Sequence, residues 1–188
     1  MVQQTSYQSI VFIGRAGTGK GTQATMLAET LGYATFSTGD KAREYAQQDT
    51  PLGRKIARIH TVGWIPEFLA SYLMTKALLE EYTDTGLVFE SVARKPEEAR
   101  KLHEIHTCLD RSYVVVYLDC DKDLLKERLL KRGRAGYDTE EKIDQRTQAF
   151  ETETVHSIEY FDSQGVLVTV DASQTVDAVF QDIIKSIQ

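Results

Sequence analysis

Proline is nearly missing from this 188-residue chain, with three in all, so helices can run long without interruption. Cysteine is scarcer still. Cys108 and Cys120 cannot build a disulfide framework and read as small packing residues in a reduced compartment rather than as reactive thiols. The 4 histidines are scattered and offer no zinc-ligand spacing. No apolar run approaches the ~20 residues that a bilayer span takes, and residues 1–9 are polar, without the apolar core of a secretory leader. Positive charge is also in deficit: 22 Lys+Arg against 28 Asp+Glu leaves a net charge of −6. That balance argues against a nucleic-acid binder, so any basic cluster must be local. The expectation is a cytoplasmic monomer with neither membrane nor nucleic-acid partners.

What remains is ordinary globular composition, 41% hydrophobic and 27% charged, at a length suited to one domain. Short β-rich runs fall at residues 9–13, 34–36, 87–90, 113–119 and 166–170. Val114-Val115-Val116-Tyr117-Leu118 is apolar throughout, as in a strand buried on both faces. Helix-length stretches lie between the runs, at 20–31, 40–47, 52–58, 68–82, 122–132, 139–161 and 174–187. Alternation of this kind predicts a parallel sheet with helices on both faces.

The most informative segment runs Ile10-Val11-Phe12-Ile13-Gly14-Arg15-Ala16-Gly17-Thr18-Gly19-Lys20-Gly21-Thr22. An apolar strand enters a glycine-rich turn that opens a helix, with phosphate-loop spacing from Gly14 to Gly19-Lys20. Glycines let backbone N–H groups converge on phosphate oxygens, the helix N-terminus adds its dipole, and Lys20 adds a full charge. Gly17, Thr18, Gly19, Lys20, Gly21 and Thr22 are therefore the candidate donor-nucleotide site. Gly21 stands where phosphate loops usually place the Ser or Thr that ligates Mg²⁺. The metal would then rest on phosphate oxygens and on water held by strand-end acids, with Glu90 and Asp119 as candidates.

With Gly19-Lys20-Gly21-Thr22-Gln23 the chain resembles adenylate kinases and the wider nucleoside monophosphate kinase family, over nearly its full length. Phe36-Ser37-Thr38-Gly39-Asp40-Lys41-Ala42-Arg43 is a second matching stretch; the resemblance implies that Thr38 meets the acceptor base or ribose and Arg43 its phosphate. Val62-Gly63-Trp64-Ile65-Pro66 is similar to the segment lining the acceptor base, with Trp64 where Leu is usual. Leu129-Leu130-Lys131-Arg132-Gly133-Arg134 resembles the entry to the family's lid, Arg146 the helix arginine after it, and Val170-Asp171-Ala172-Ser173-Gln174 the closing segment. The resemblance implies donor contacts from Arg128, Arg132 and Gln174, and acceptor contacts from Trp64, Ile65, Ser91, Arg94, Arg134 and Arg146. It also implies a P-loop NTPase-type three-layer α/β fold with a five-stranded parallel sheet in the order 2-3-1-4-5. The expected core spans 1–38, 83–132 and 146–188, with a helical acceptor-binding region at 39–82. The lid at 133–145 is too short for a separate β-rich or zinc-bearing domain.

The arginines make sense on physical grounds alone. Phosphoryl transfer between two nucleotides crowds several phosphates together, so catalysis is mainly neutralisation and positioning, and the anionic acceptor oxygen needs no general base. Arg makes planar two-pronged phosphate contacts that Lys cannot. Lys20, Arg94, Arg132, Arg134 and Arg146 are the candidate catalytic cations.

The family pattern breaks after the third strand. Adenylate kinases read Asp-Gly-Phe-Pro-Arg there, followed four places on by Gln; this chain has Glu90-Ser91-Val92-Ala93-Arg94 and then Glu98. An amide can serve both N1 and the amino group of adenine, whereas an ionised carboxylate only accepts and suits the two donors of guanine. Glu98 is thus open to several readings: a guanine reader, a protonated contact, or a helix-surface side chain.

The expected activity is ATP + AMP = 2 ADP with Mg²⁺. GMP or another monophosphate as acceptor, or a nucleotide-binding regulator without turnover, stay open. The chain has no Asn-Lys-x-Asp guanine motif of a GTPase switch.

Overall fold

Strand β1 (Ser9–Gly14) establishes the two faces on which the molecule is built. Val11 and Ile13 point to one side and Ile10 and Phe12 to the other, all four closed to solvent. The same period-2 alternation sorts β3 (Leu87–Glu90) and β4 (Tyr113–Asp119), whose odd-numbered side chains join Val11 and whose even-numbered ones join Ile10. With β2 (Ala34–Ser37) and β5 (Leu167–Asp171) they form a parallel sheet in the order β2-β3-β1-β4-β5, as the resemblance implies. The computed structural model describes residues 5–62, 66–81, 84–133 and 138–188.

One face of the sheet is covered by α1 (Lys20–Leu31), α6 (Lys122–Arg132) and α9 (Val176–Ser186), through Leu27, Leu125 and Ile183. The other carries α2 (Thr38–Ala46), α3 (Pro51–Val62), α4 (Glu67–Lys76), α5 (Pro96–Cys108) and α8 (Val155–Ser163), through Ala42, Ile56, Leu73, Leu102 and Phe161. Phe12, Phe36, Phe89 and Leu118 are among the largest fully buried side chains, each worth about 1.5–3 kcal/mol of transfer free energy. No helix among the described residues is long and apolar enough to cross a membrane.

Several boundaries differ from expectation. The helix expected at 139–161 is α7 (Glu140–Ala149) and α8, joined by a π-helical turn at Phe150–Thr154. Another π turn, Ala77–Glu81, ends α4. Strand β5 sits one residue later than expected because Gly165, at φ 68°, still belongs to the turn after α8. Cys120 is buried, but Cys108 is exposed at the end of α5, which corrects its reading as a packing residue: it falls on the solvent side of the last turn, opposite the buried Leu102–His106 face.

Candidate active site

All five strands point their carboxyl ends to one edge, and β1 lies centrally, where the chain's crossovers change direction and leave a crevice. The loop after β1 occupies that crevice. A Cβ on Gly14 would stand 2.6 Å from the Leu118 carbonyl oxygen, so only glycine lets the loop leave the sheet this close to β4. Gly19, at φ 89°, turns the chain into α1.

Thr18 donates its hydroxyl to the Arg15 carbonyl at 3.0 Å. Lys20 Nζ lies across the loop, donating to the carbonyls of Gly14 at 2.8 Å and Arg15 at 2.6 Å. Burial pushes Lys20 down to about 7; Arg94, Arg132 and Arg146 push the same way and Glu90 opposes them. That electrostatic coupling reports geometry: three arginines from three separate elements converge on one lysine. The Glu90 carboxylate sits against Gly21, where an added Cβ would meet its oxygens at 3.2 and 3.4 Å. The missing hydroxyl at position 21 thus coincides with an acid filling the adjacent space.

In the loop after β3, Ser91 and Ala93 take left-handed φ values of 63° and 53°, a conformation that costs an L-residue roughly 1–2 kcal/mol. Proline cannot adopt the Ala93 conformation, so the Pro of an Asp-Gly-Phe-Pro-Arg sequence would not fit this loop as it stands. The loop delivers Arg94 to the cluster. Burial lowers the Arg94 pKa, while Glu98 and Glu90 counteract and Arg146 adds to the depression. Glu98 is buried in the first turn of α5, and its Oε2 accepts the Arg94 backbone N–H at 3.0 Å. Burial raises its pKa, opposed by that N–H and by the Arg94 charge. The helix-surface reading of Glu98 is corrected here: α5 starts by packing its first turn onto the loop, which turns position 98 inward.

On the third side, Asp138 is wholly buried as a side chain and grips two arginines. Arg132 donates to it through Nε and one terminal nitrogen, both at 2.8 Å, and Arg146 donates at 3.2 Å. Hydrogen bonding to Asp138 raises the Arg132 pKa. Arg128 pins the loop after β5 by donating to the carbonyls of Ala172 and Ser173, both at 2.9 Å. Gln174 is exposed in that loop and bonds Asp171 and Asp182.

Other expected residues lie on α2 and at the end of β4. Thr38 is buried at the start of α2. Arg43 pairs with Asp40 on the same helix, half-exposed, and is not among the groups acting on Lys20. A groove of ≈ 370 Å³ separates α2 from α1, lined by Thr25, Ser37, Asp40, Lys41 and Glu90 among others. Asp119 is half-exposed, takes a hydrogen bond from Tyr117 at 2.7 Å and lies 3.8 Å from Arg15. Among the described residues no group of three or more His, Cys, Asp or Glu could hold a metal by itself. Trp64, Ile65 and Arg134 lie outside the described residues.

Sequence reasoning passed over Arg15. Its guanidinium lies 4.4 Å from the Phe150 ring centroid and 4.0 Å from Glu151. The available signal was a large cation among the small residues Gly14, Ala16, Gly17 and Thr18.

The chain matches the family model described as adenylate kinase over residues 12–166. It is 35% identical over 180 residues to an adenylate kinase of Mycobacterium ulcerans (strain Agy99), covering 95% of this chain and 98% of that one. It is also 33% identical to an adenylate kinase of Synechococcus sp. (strain WH7803), over 92% of this chain and 94% of the relative. Adenylate kinase 1 of Nostoc sp. (strain PCC 7120 / SAG 25.82 / UTEX 2576) is 33% identical, over 93% and 95%. A phosphate loop at the centre of a 2-3-1-4-5 sheet and full-length likeness to such relatives agree: the chain belongs to the adenylate kinase family, phosphotransferases whose acceptor is a nucleotide.

Proposed function

We propose that this chain transfers the γ-phosphate of ATP to AMP, forming two ADP, with Mg²⁺ as the accompanying metal. The reading rests above all on the buried Lys20 of the phosphate loop, towards which Arg94, Arg132 and Arg146 bring positive charge from three separate elements. Asp138, Glu90 and Glu98 offset part of this positive charge in a chain of net charge −6, and polyphosphate would offset the rest. Two nucleotides meeting end to end would bring that charge.

In this reading the amides of Gly17, Thr18, Gly19, Gly21 and Thr22 together with Lys20 take the donor phosphates, and Arg128 and Gln174 border the donor base. Arg94 holds the acceptor phosphate, and Arg132, Arg134 and Arg146 neutralise the group in transit. Residues 39–82, with Thr38, Arg43, Trp64 and Ile65, form the acceptor region, and 133–145 the short lid. The carboxylate of Glu90 beside Gly21 suits a hard cation held through water. When bound, Mg²⁺ supplies charge neutralisation along the donor phosphates.

A second acceptor, GMP, is raised by the carboxylate of Glu98 standing where the family has an amide. Ionised, it would accept both donors of guanine; protonated, it could donate to N1 of adenine. We therefore expect Glu98→Gln to raise kcat/KM for AMP relative to GMP. An unchanged AMP/GMP ratio would remove Glu98 from base selection. Turnover is tested with Mg-ATP and a panel of monophosphates. ATP binding without transfer to any of them would indicate a regulator instead.

A further inference from the structure

The π turn at Phe150–Thr154 begins four residues beyond Arg146, at the junction of α7 and α8. π insertions strain a helix and are held where surrounding contacts demand them. Two loops reach this one. From the phosphate loop, Arg15 lays its guanidinium 4.4 Å from the centroid of the Phe150 ring, with Glu151 at 4.0 Å and Asp119 at 3.8 Å. The Phe150 ring stacks in turn on Tyr117 of β4, at 6.4 Å between centroids and 21° between planes. From the acceptor loop, Lys95, next to Arg94, reaches Glu153 at 3.7 Å and Glu67 of α4 at 3.3 Å.

Arg15 is bound at both ends. Its carbonyl accepts from Lys20 Nζ and from the Thr18 hydroxyl, while its guanidinium lies over the π turn. Its side chain is 21% exposed, less than half the exposure of either carboxylate beside it. Those ion pairs are too long and too wet to dominate, which leaves the Phe150 ring and a hydrogen bond to the Tyr117 side chain beneath it as the attachment. A lysine in its place would keep the charge but lose the planar stacking surface.

We propose that Arg15 is a positioning residue for phosphoryl transfer: stacked on Phe150, it ties the phosphate loop to the helix that carries Arg146 and so sets that arginine's distance from Lys20. The proposal rests on the kinase reading given above. Arg15 acts through Arg146 and Lys20 and does not itself touch nucleotide.

The test compares Arg15→Ala, Arg15→Lys, Phe150→Leu and the Arg15→Ala/Phe150→Leu double variant with wild type, each checked for folding by circular dichroism. Two quantities are read: kcat and KM with Mg-ATP and AMP, and hydrogen exchange of the amides of residues 143–154. Misplacing a positioned group by about 1 Å can cost up to ~100-fold. The expectation is a kcat lowered about tenfold in Arg15→Ala and in Phe150→Leu, with the ATP KM changed less than about twofold. The double variant should be no worse than either single one, Arg15→Lys should fail to restore kcat, and exchange over 143–154 should quicken in all of them. Unchanged kcat and exchange would overturn the proposal. So would a raised ATP KM at constant kcat, which would make Arg15 a direct nucleotide contact. If wild type transfers phosphate to no monophosphate, the kinase reading fails, and the exchange measurement still decides whether Arg15 tethers the helix.

Discussion

Replacing Asp138 by Asn keeps the shape of the side chain and removes its charge, where that charge holds Arg132 and Arg146 together. Three contacts at 2.8, 2.8 and 3.2 Å depend on it. A hydrogen bond to a charged group is worth about 1.5–3 kcal/mol. Two features reduce the loss. Arg132 is 48% and Arg146 21% exposed as side chains, so both cations recover water, and the Asn carbonyl still accepts from one of them. The net cost should be about 1–2 kcal/mol, or roughly 3–6 °C in Tm for a chain of this size. With its fork broken, Arg132 no longer has one orientation, and kcat should fall about 10- to 100-fold. Thermal melts and steady-state kinetics with Mg-ATP and AMP read both effects. The reasoning fails if Asp138→Asn binds ATP more tightly and keeps its kcat, because Asp138 would then be competing with phosphate for the arginines rather than aligning them.

Lys20 sits near half-protonation at neutral pH in the nucleotide-free protein, and a polyphosphate will favour its charged form. ATP binding at pH 8 should therefore take up close to one proton, read by calorimetry in buffers of different ionisation enthalpy; zero uptake would place the Lys20 pKa near its ordinary value. His106 is buried against Tyr113, its ring 4.4 Å from the phenol ring, with Nδ1 on the Leu102 carbonyl and Nε2 sealed without a partner. Burial lowers its pKa from 6.5 to about 4, so below pH 6.5 the unfolded chain takes up a proton that the folded one does not. Stability is lost as pH falls from 6.5 towards 4, and His106→Phe should flatten that part of the denaturation profile; an equal slope in both proteins would contradict the sign. Ser91→Gly and Ala93→Gly should each stabilise the fold by about 0.5–1 kcal/mol, since glycine accepts left-handed φ without strain. A loss in urea melts would mean that the side chains pack for more than the strain costs.

The sheet was legible because its central strands are buried on both faces: a run such as Val114-Val115-Val116 has no other soluble home. The phosphate loop was legible because the order strand, glycines, lysine, helix is fixed by what phosphate needs. Less local features were not. The π turn at Phe150 leaves no mark on helical periodicity, because it is held by Arg15 and Lys95 from loops distant in sequence. Glu98 follows Pro96-Glu97, an ordinary exposed helix start, and only the path of the Ser91–Ala93 backbone turns it inward. Asp138 falls within the stretch 133–145 expected as the lid. That it joins two arginines depends on how α6 and α7 meet, which spacing along one chain does not encode. Arg43 is an expectation of the resemblance alone, and in the structure it pairs with Asp40 one turn earlier on α2, a contact that gives no sign of its role.

The most direct test of the account is a transfer assay with purified protein, Mg-ATP and AMP, GMP, CMP and UMP in parallel, following nucleoside diphosphate formation. The cation cluster around Lys20 predicts rapid diphosphate formation with AMP, GMP or both, abolished in Lys20→Met. Tight ATP binding with no diphosphate from any of the four would contradict it.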